Sequence, residues 1–229
     1  MPNWCSNNLT ISGDASEIAK FNAWLGDEPL TLQKIKPMPS ELEDTTSPTP
    51  DSESEKAKIL TEKYGAANWY DWHIQNWGTK WDIEADFDDG SSTDDCLIYN
   101  FDSAWSPPIQ AMVTLAKLFP NLGIRMTYRE DGMQFAGVFK AAGKIFVDVG
   151  ANGDNKEEYR QFIIDEFGDD PFENEEEEDL DHESKGLATL AKSEEDVATK
   201  KKTKKIKKVT KKVKKAAKKP VKKVKKKKK

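Results

Sequence analysis

The chain has 229 residues and a formal net charge of -5, a value that conceals two opposite parts. Residues 200–229 hold 20 lysines and no carboxylate, which leaves 16 basic against 41 acidic residues, a net of -25, in residues 1–199. Two cysteines, Cys5 and Cys96, are too few for a disulfide framework or a four-ligand zinc site. No run approaches the roughly twenty apolar residues of a membrane span, and residues 1–10 lack the charged and apolar regions of a signal peptide.

Residues 4–12 alternate around Leu9 and Ile11 and predict a strand. Gly13-Asp14 breaks it, and Asp14 is placed to cap a helix whose apolar positions are Ile18, Phe21, Trp24 and Leu25. After a short apolar stretch at 30–35, residues 40–55 are Ser, Thr, Pro, Asp and Glu with almost nothing to bury. They predict a mobile insertion around residues 37–68, with a helix over 56–64 ended by Gly65. A tryptophan-rich segment follows at 69–81.

Residues 80–87 and 96–101 each alternate, and Asp88-Asp89-Gly90-Ser91-Ser92 supplies turn chemistry between them, so the pair reads as a hairpin. Ser106-Pro107-Pro108 opens a helix, where proline's missing N–H has no helical partner to lose. Ile109, Met112, Val113, Leu115, Ala116 and Phe119 give that helix a broad apolar face. Three strands follow, over 124–129, 133–140 and 144–149, joined by Glu130-Asp131-Gly132 and Ala142-Gly143.

Without the insertion the order is strand, helix, strand, strand, helix, strand, with an extra hairpin at the end. That is the split βαβ pattern of ferredoxin-like folds. The prediction for residues 1–150 is an α+β domain, an antiparallel sheet with two helices on one face plus a C-terminal hairpin. Residues 151–168 can form a last helix with Tyr159, Phe162, Ile163 and Phe167 on one side. Beyond it, 169–199 reads as an acidic disordered linker and 200–229 as a disordered lysine-rich tail.

Three separated motifs are Met1-Pro2-Asn3-Trp4-Cys5 with Asn8, Leu9, Ile11 and Gly13; Asn76-Trp77-Gly78-Thr79-Lys80-Trp81-Asp82; and Ala104-Trp105-Ser106-Pro107-Pro108. In this order they resemble the YubB-type ferredoxin-like domain proteins of phages and plasmids, over roughly residues 1–140. The resemblance implies a ferredoxin-like fold and a phage-borne or plasmid-borne protein; the few cysteines and the lack of a span or signal pattern predict the host cytoplasm or nucleoid as its location. It implies no reaction.

The candidate partner surface is Trp69, Trp72, His73, Trp77, Lys80, Trp81 and Trp105. Aromatics stack on bases in RNA-binding domains of similar topology; the competing reading is core packing, since a small sheet needs large side chains to close it. The acidic surroundings weigh against a phosphate-attracting face, and Lys80, Arg125 and Arg129 are the basic residues near it. His73 with Asp71, Cys5 or Cys96 has no metal or nucleophile spacing, there being no CxxC, HExxH or glycine-rich phosphate loop. A hydrogen-bonded structural histidine is the default. No catalytic residue, metal or cofactor is expected. Asp82, Glu84 and Asp86 alternate and share the exposed face of the predicted strand, with Ile83, Ala85 and Phe87 inward. That face reads as solvated, with a divalent-ion site as the remote alternative.

Residues 165–183 contain 12 acidic residues in 19, either a solubilising linker or a competitor for the tail. The tail's candidate nucleic-acid-binding residues are Lys200, Lys201, Lys202, Lys204, Lys205, Lys207, Lys208, Lys211, Lys212, Lys214, Lys215, Lys218, Lys219, Lys222 and Lys223. It offers no arginine forks and no Asn or Gln to read base edges, so binding to DNA or RNA should be independent of sequence. Its composition resembles linker-histone tails; anionic membranes are a lesser alternative. The expected function is a non-enzymatic accessory protein that holds nucleic acid through the tail while the folded domain recognises a partner, such as a host protein. The alternative is an acidic inhibitor of a host nucleic-acid or defence enzyme.

Overall fold

The computed structural model describes residues 2–173. The acidic linker expected over 169–199 falls almost wholly outside them, and the lysine tail over 200–229 wholly so. The fold below is that of the compact unit Met1–Pro171.

Alternation in the first strand, β1 (Trp4–Ser12), sends Cys5, Asn7, Leu9 and Ile11 inward and Trp4, Ser6, Asn8 and Thr10 to the other face. Two helices cover the inward face: α1 (Ala15–Leu25), through Ile18, Phe21 and Leu25, and α5 (Ile109–Leu118), through Ala111, Met112, Leu115 and Ala116. Each fully buried large aliphatic or Phe side chain stabilises by about 1.5–3 kcal/mol, so this single layer carries the fold. Asp14 occupies the N-cap position of α1, but its side chain makes no capping bond; its carbonyl accepts from the Glu17 and Ile18 N–H groups instead.

Four more helices come between and after these elements: α2 (Leu32–Ile35), α3 (Ser54–Tyr64), α4 (Trp69–Asn76) and α6 (Lys156–Phe167). The remaining strands are β2 (Asp86–Phe87), β3 (Cys96–Ala104), β4 (Gly123–Glu130), β5 (Phe135–Ala142) and β6 (Ile145–Asn152). All pair antiparallel in one sheet of order β2-β3-β1-β4-β5-β6. The first four give the ferredoxin-like arrangement, with β1 central between β3 and β4, and the β5–β6 hairpin extends the sheet as the sequence predicts. Helix α6 lies across the opposite face from α1 and α5. By alternation Arg125 and Arg129 point away from Ile124, Met126 and Tyr128, and Arg125 Nη2 meets Glu166 of α6 at 2.7 Å. Among the described residues the face above β1 and β3 stays open.

Residues 40–55 are not empty of core. Leu42 is fully buried after a short 3-10 turn, Ser40–Leu42. Thr45 Oγ1 donates to the Leu42 carbonyl at 2.6 Å and accepts from the Trp69 N–H at 2.9 Å. Glu41 receives Lys63 Nζ at 2.7 Å and the Tyr64 hydroxyl at 2.6 Å, which lowers its carboxyl to about 2.

The strand predicted over 80–87 is a correction. Only Asp86 and Phe87 pair with β3, because Asp82 Oδ1 accepts the N–H groups of Leu32 at 2.7 Å, Gln33 at 3.3 Å and Ile83 at 2.9 Å. The segment is thereby tied to α2 rather than to the sheet, although Asp82, Glu84 and Asp86 are all exposed as the alternation predicts. Ile83 and Ala85 do turn inward, while Phe87 is exposed. Asp82→Ala removes the acceptor of three backbone donors and is expected to cost about 1–2 kcal/mol. A urea midpoint unchanged from wild type would contradict this role.

Candidate functional site

The three motifs singled out in the sequence meet at one end of the sheet. Trp4 pairs in register with Ala104, and the Trp105 N–H donates to the Asn3 carbonyl at 2.9 Å. Thr79, fully buried, donates its hydroxyl to the Ala104 carbonyl at 2.8 Å; Ser106 Oγ donates to the Gly78 carbonyl at 2.7 Å; and the Ala111 N–H of α5 donates to Trp77 O at 3.2 Å. Gly78 has φ +91°, and a Cβ there would approach Ile109 N at 3.2 Å, so glycine allows the two loops to close on each other. The interlock holds Trp105 at φ +73°, a left-handed conformation that a bulky residue adopts only when its surroundings impose it.

This scaffold presents indoles outward. Trp4 is 50%, Trp105 43% and Trp81 38% exposed. The Trp4 and Trp81 rings lie 5.9 Å apart, and Lys80 Nζ sits 5.0 Å over the Trp81 ring, within range of a cation–π attraction. Trp4 occupies the same sheet face as Ser6 and Asn8, so the aromatic end runs into a groove of about 510 Å³ on the open face. The groove is lined by Ser6 and Asn8 of β1, Asn100 and Asp102 of β3, and Glu84, Asp86, Thr127, Arg129 and Phe167 around them. Asn8 Nδ2 donates to Asn100 Oδ1 at 2.8 Å and Ser6 Oγ to Asp102 at 2.9 Å. Arg129 is engaged by Asp131 and, at 2.6 Å, by Asp169. Glu84, Asp86 and Asp102 enter no ion pair among the described residues.

Residues 76–201, more than half of the chain, match the family described as the ferredoxin-like domain in Api92-like protein. The chain belongs to this family. Its fold is similar to the crystal structure of protein Api92 from Yersinia pseudotuberculosis, at TM-score 0.42 and 13% identity over 66% of this chain and 98% of that one. No curated protein matches.

In this Api92-like chain the predicted partner residues divide. Lys80, Trp81 and Trp105 reach the surface, whereas Trp72, His73 and Trp77 are buried and Trp69 is half-buried, its ring centroid 5.3 Å from that of His73 in an edge-on contact. Trp4 was not among them, although its even position on an alternating strand places it opposite Leu9 and Ile11. The central open-face positions are Ser6, Asn8 and Thr10 on β1 and Ile98, Asn100 and Asp102 on β3. The middle of the sheet therefore lacks the stacked aromatics of RNA-binding sheets.

His73 stacks on Trp77 at 3.9 Å, and its Nδ1 lies 2.7 Å from the Lys80 carbonyl. Since a carbonyl only accepts, Nδ1 carries the proton and Nε2, buried without a partner among the described residues, is the bare nitrogen. Asp71 is occupied elsewhere, accepting from Asn68 Nδ2 at 2.9 Å. Cys5, partnered with Ser103, and Cys96, partnered with Ser12, stand at opposite ends of the β1–β3 pair, about 24 Å apart at strand rise. Burial pushes the Cys5 thiol up to about 12, far from a reactive thiolate. No group of three His, Cys, Asp or Glu side chains suited to a metal occurs among the described residues, nor is any described helix long and apolar enough to cross a membrane.

Burial lowers the His73 pKa below its usual 6.5. The folded state resists a proton that the unfolded chain accepts, so this stability is complete above the unfolded pKa and is lost as pH falls through the folded one. Between about pH 7.5 and about pH 5 the urea midpoint of wild type should fall more than that of His73→Gln. Parallel curves would refute a buried neutral imidazole.

Proposed function

We propose that the chain is a non-enzymatic, phage-borne or plasmid-borne accessory protein of the host cytoplasm or nucleoid. It binds nucleic acid without sequence preference through Lys200–Lys229, while the ferredoxin-like domain recognises a separate partner. The carrying observation is the division of charge: 20 lysines and no acid in residues 200–229 against a net of -25 in the rest. A run of ammonium groups gains free energy by releasing the small cations condensed on a polyphosphate, whereas the acidic domain repels the same polymer. The YubB-type motifs supply the habitat. In a gel-shift assay at about 0.15 M salt, a chain ending at Thr199 should no longer retain duplex DNA; undiminished retention would refute the tail's role.

The acidic inhibitor of a host nucleic-acid or defence enzyme stands as the second reading. It is favoured by Glu84, Asp86 and Asp102, which line the groove without an ion pair among the described residues, a surface suited to a basic protein partner.

A further inference from the structure

We infer that the open sheet face is a docking groove for an extended basic peptide, an arginine- or lysine-bearing segment of another protein. This rests on the proposed division of labour, in which the domain and not the tail recognises the partner.

Charge selects the occupant. Glu84, Asp86 and Asp102 line the groove without ion-pair partners among the described residues, and the cation on its wall, Arg129, is already held by Asp131 and Asp169. Phosphates entering such a groove meet like charge, whereas guanidinium or ammonium groups meet three carboxylates that no described cation neutralises, Asp102 accepting only the Ser6 hydroxyl. Shape selects an extended chain. Trp4 to Asn8 spans about 14 Å at strand rise, the reach of about four extended residues, whose alternate side chains point to the same side. The aromatic end adds a second kind of cation contact. The Trp81 ring already takes the Lys80 ammonium on one face at 5.0 Å and packs near Trp4 at 5.9 Å, and both indoles keep much of their surface exposed. Arginine prefers such surfaces because its flat, weakly hydrated guanidinium stacks as well as pairs. The strained Trp105 backbone and the buried Thr79 bridge show that this end of the sheet is held rigidly, so little ordering cost accompanies docking there.

The test titrates the full-length protein, by calorimetry, with a synthetic peptide alternating arginine and serine over ten residues. Saturation at one peptide per chain is expected. Charge reversal at Glu84→Lys with Asp86→Lys should weaken it at least tenfold, and Trp81→Ala several-fold. Reversal of two remote exposed acids, Asp51→Lys with Glu55→Lys, changes net charge equally and should leave affinity within about twofold. Circular dichroism checks that each variant keeps its fold. Absence of saturable binding, or equal weakening by the remote pair, would overturn the groove. So would single-stranded oligothymidylate binding that depends on Trp81 while peptide binding does not, since the face would then take bases. Failure of the intact protein to retain DNA, with peptide binding intact, would count against the tail alone.

Discussion

Trp77→Ala is expected to destabilise the domain by about 3–5 kcal/mol, the cost of a large aromatic removed from a closed core. Trp77 is 2% exposed, stacks on His73 at 3.9 Å, meets Trp72 edge-on at 5.6 Å, and donates its indole N–H to the Lys36 carbonyl at 2.9 Å. It also anchors the N-terminus of α5 through its own carbonyl. Truncation opens a cavity between α4, α5 and the loop carrying Lys36. Trp77→Phe separates the contributions: it keeps most of the ring and loses the hydrogen bond, for about 1–2 kcal/mol. Equilibrium urea denaturation measures both. A Trp77→Ala loss below about 1 kcal/mol would mean that this tryptophan is not part of the core.

The second large effect is on binding. If about ten lysines of the tail neutralise phosphates on duplex DNA, the observed affinity should fall with salt at a log–log slope near -9. Raising salt from about 50 to about 200 mM would then weaken binding by about 10⁵-fold. Removing Lys218 onward takes away 9 of the 20 lysines and should reduce the slope roughly in proportion, because counterion release counts contacts and not sequence. Base substitutions in the DNA should change affinity little, since the tail has no arginine forks and no Asn or Gln to read base edges. A slope near zero would show that these lysines are not the contact.

How much was legible in the sequence follows from what each element depends on. The strands β1, β3, β4, β5 and β6 were visible because alternation is a local property. The helices α1 and α5 were visible because their apolar positions recur at helical spacing. The failure at residues 80–87 has a tertiary cause. Alternation there satisfies the strand pattern, but Asp82 finds better partners in the N–H groups of Leu32 and Gln33, fifty residues earlier. Residues 40–55 misled for a related reason: one buried leucine and one threonine hydroxyl pin a polar loop, and composition is blind to single contacts. At the candidate site, the tryptophans were legible as a group but not as buried or exposed. Trp77 and Trp81 sit four residues apart in a segment with no regular period, and only the interlock of Gly78, Thr79, Ala104 and Ser106 turns one inward and the other out. The groove escaped notice because its walls come from four strands and a helix.

The division of labour between an acidic domain and a cationic tail is tested most directly by presenting the intact protein with duplex DNA, single-stranded RNA and heparin in dilute buffer. It predicts binding to all three, graded by their charge density and lost in strong salt. Indifference to all three would contradict it.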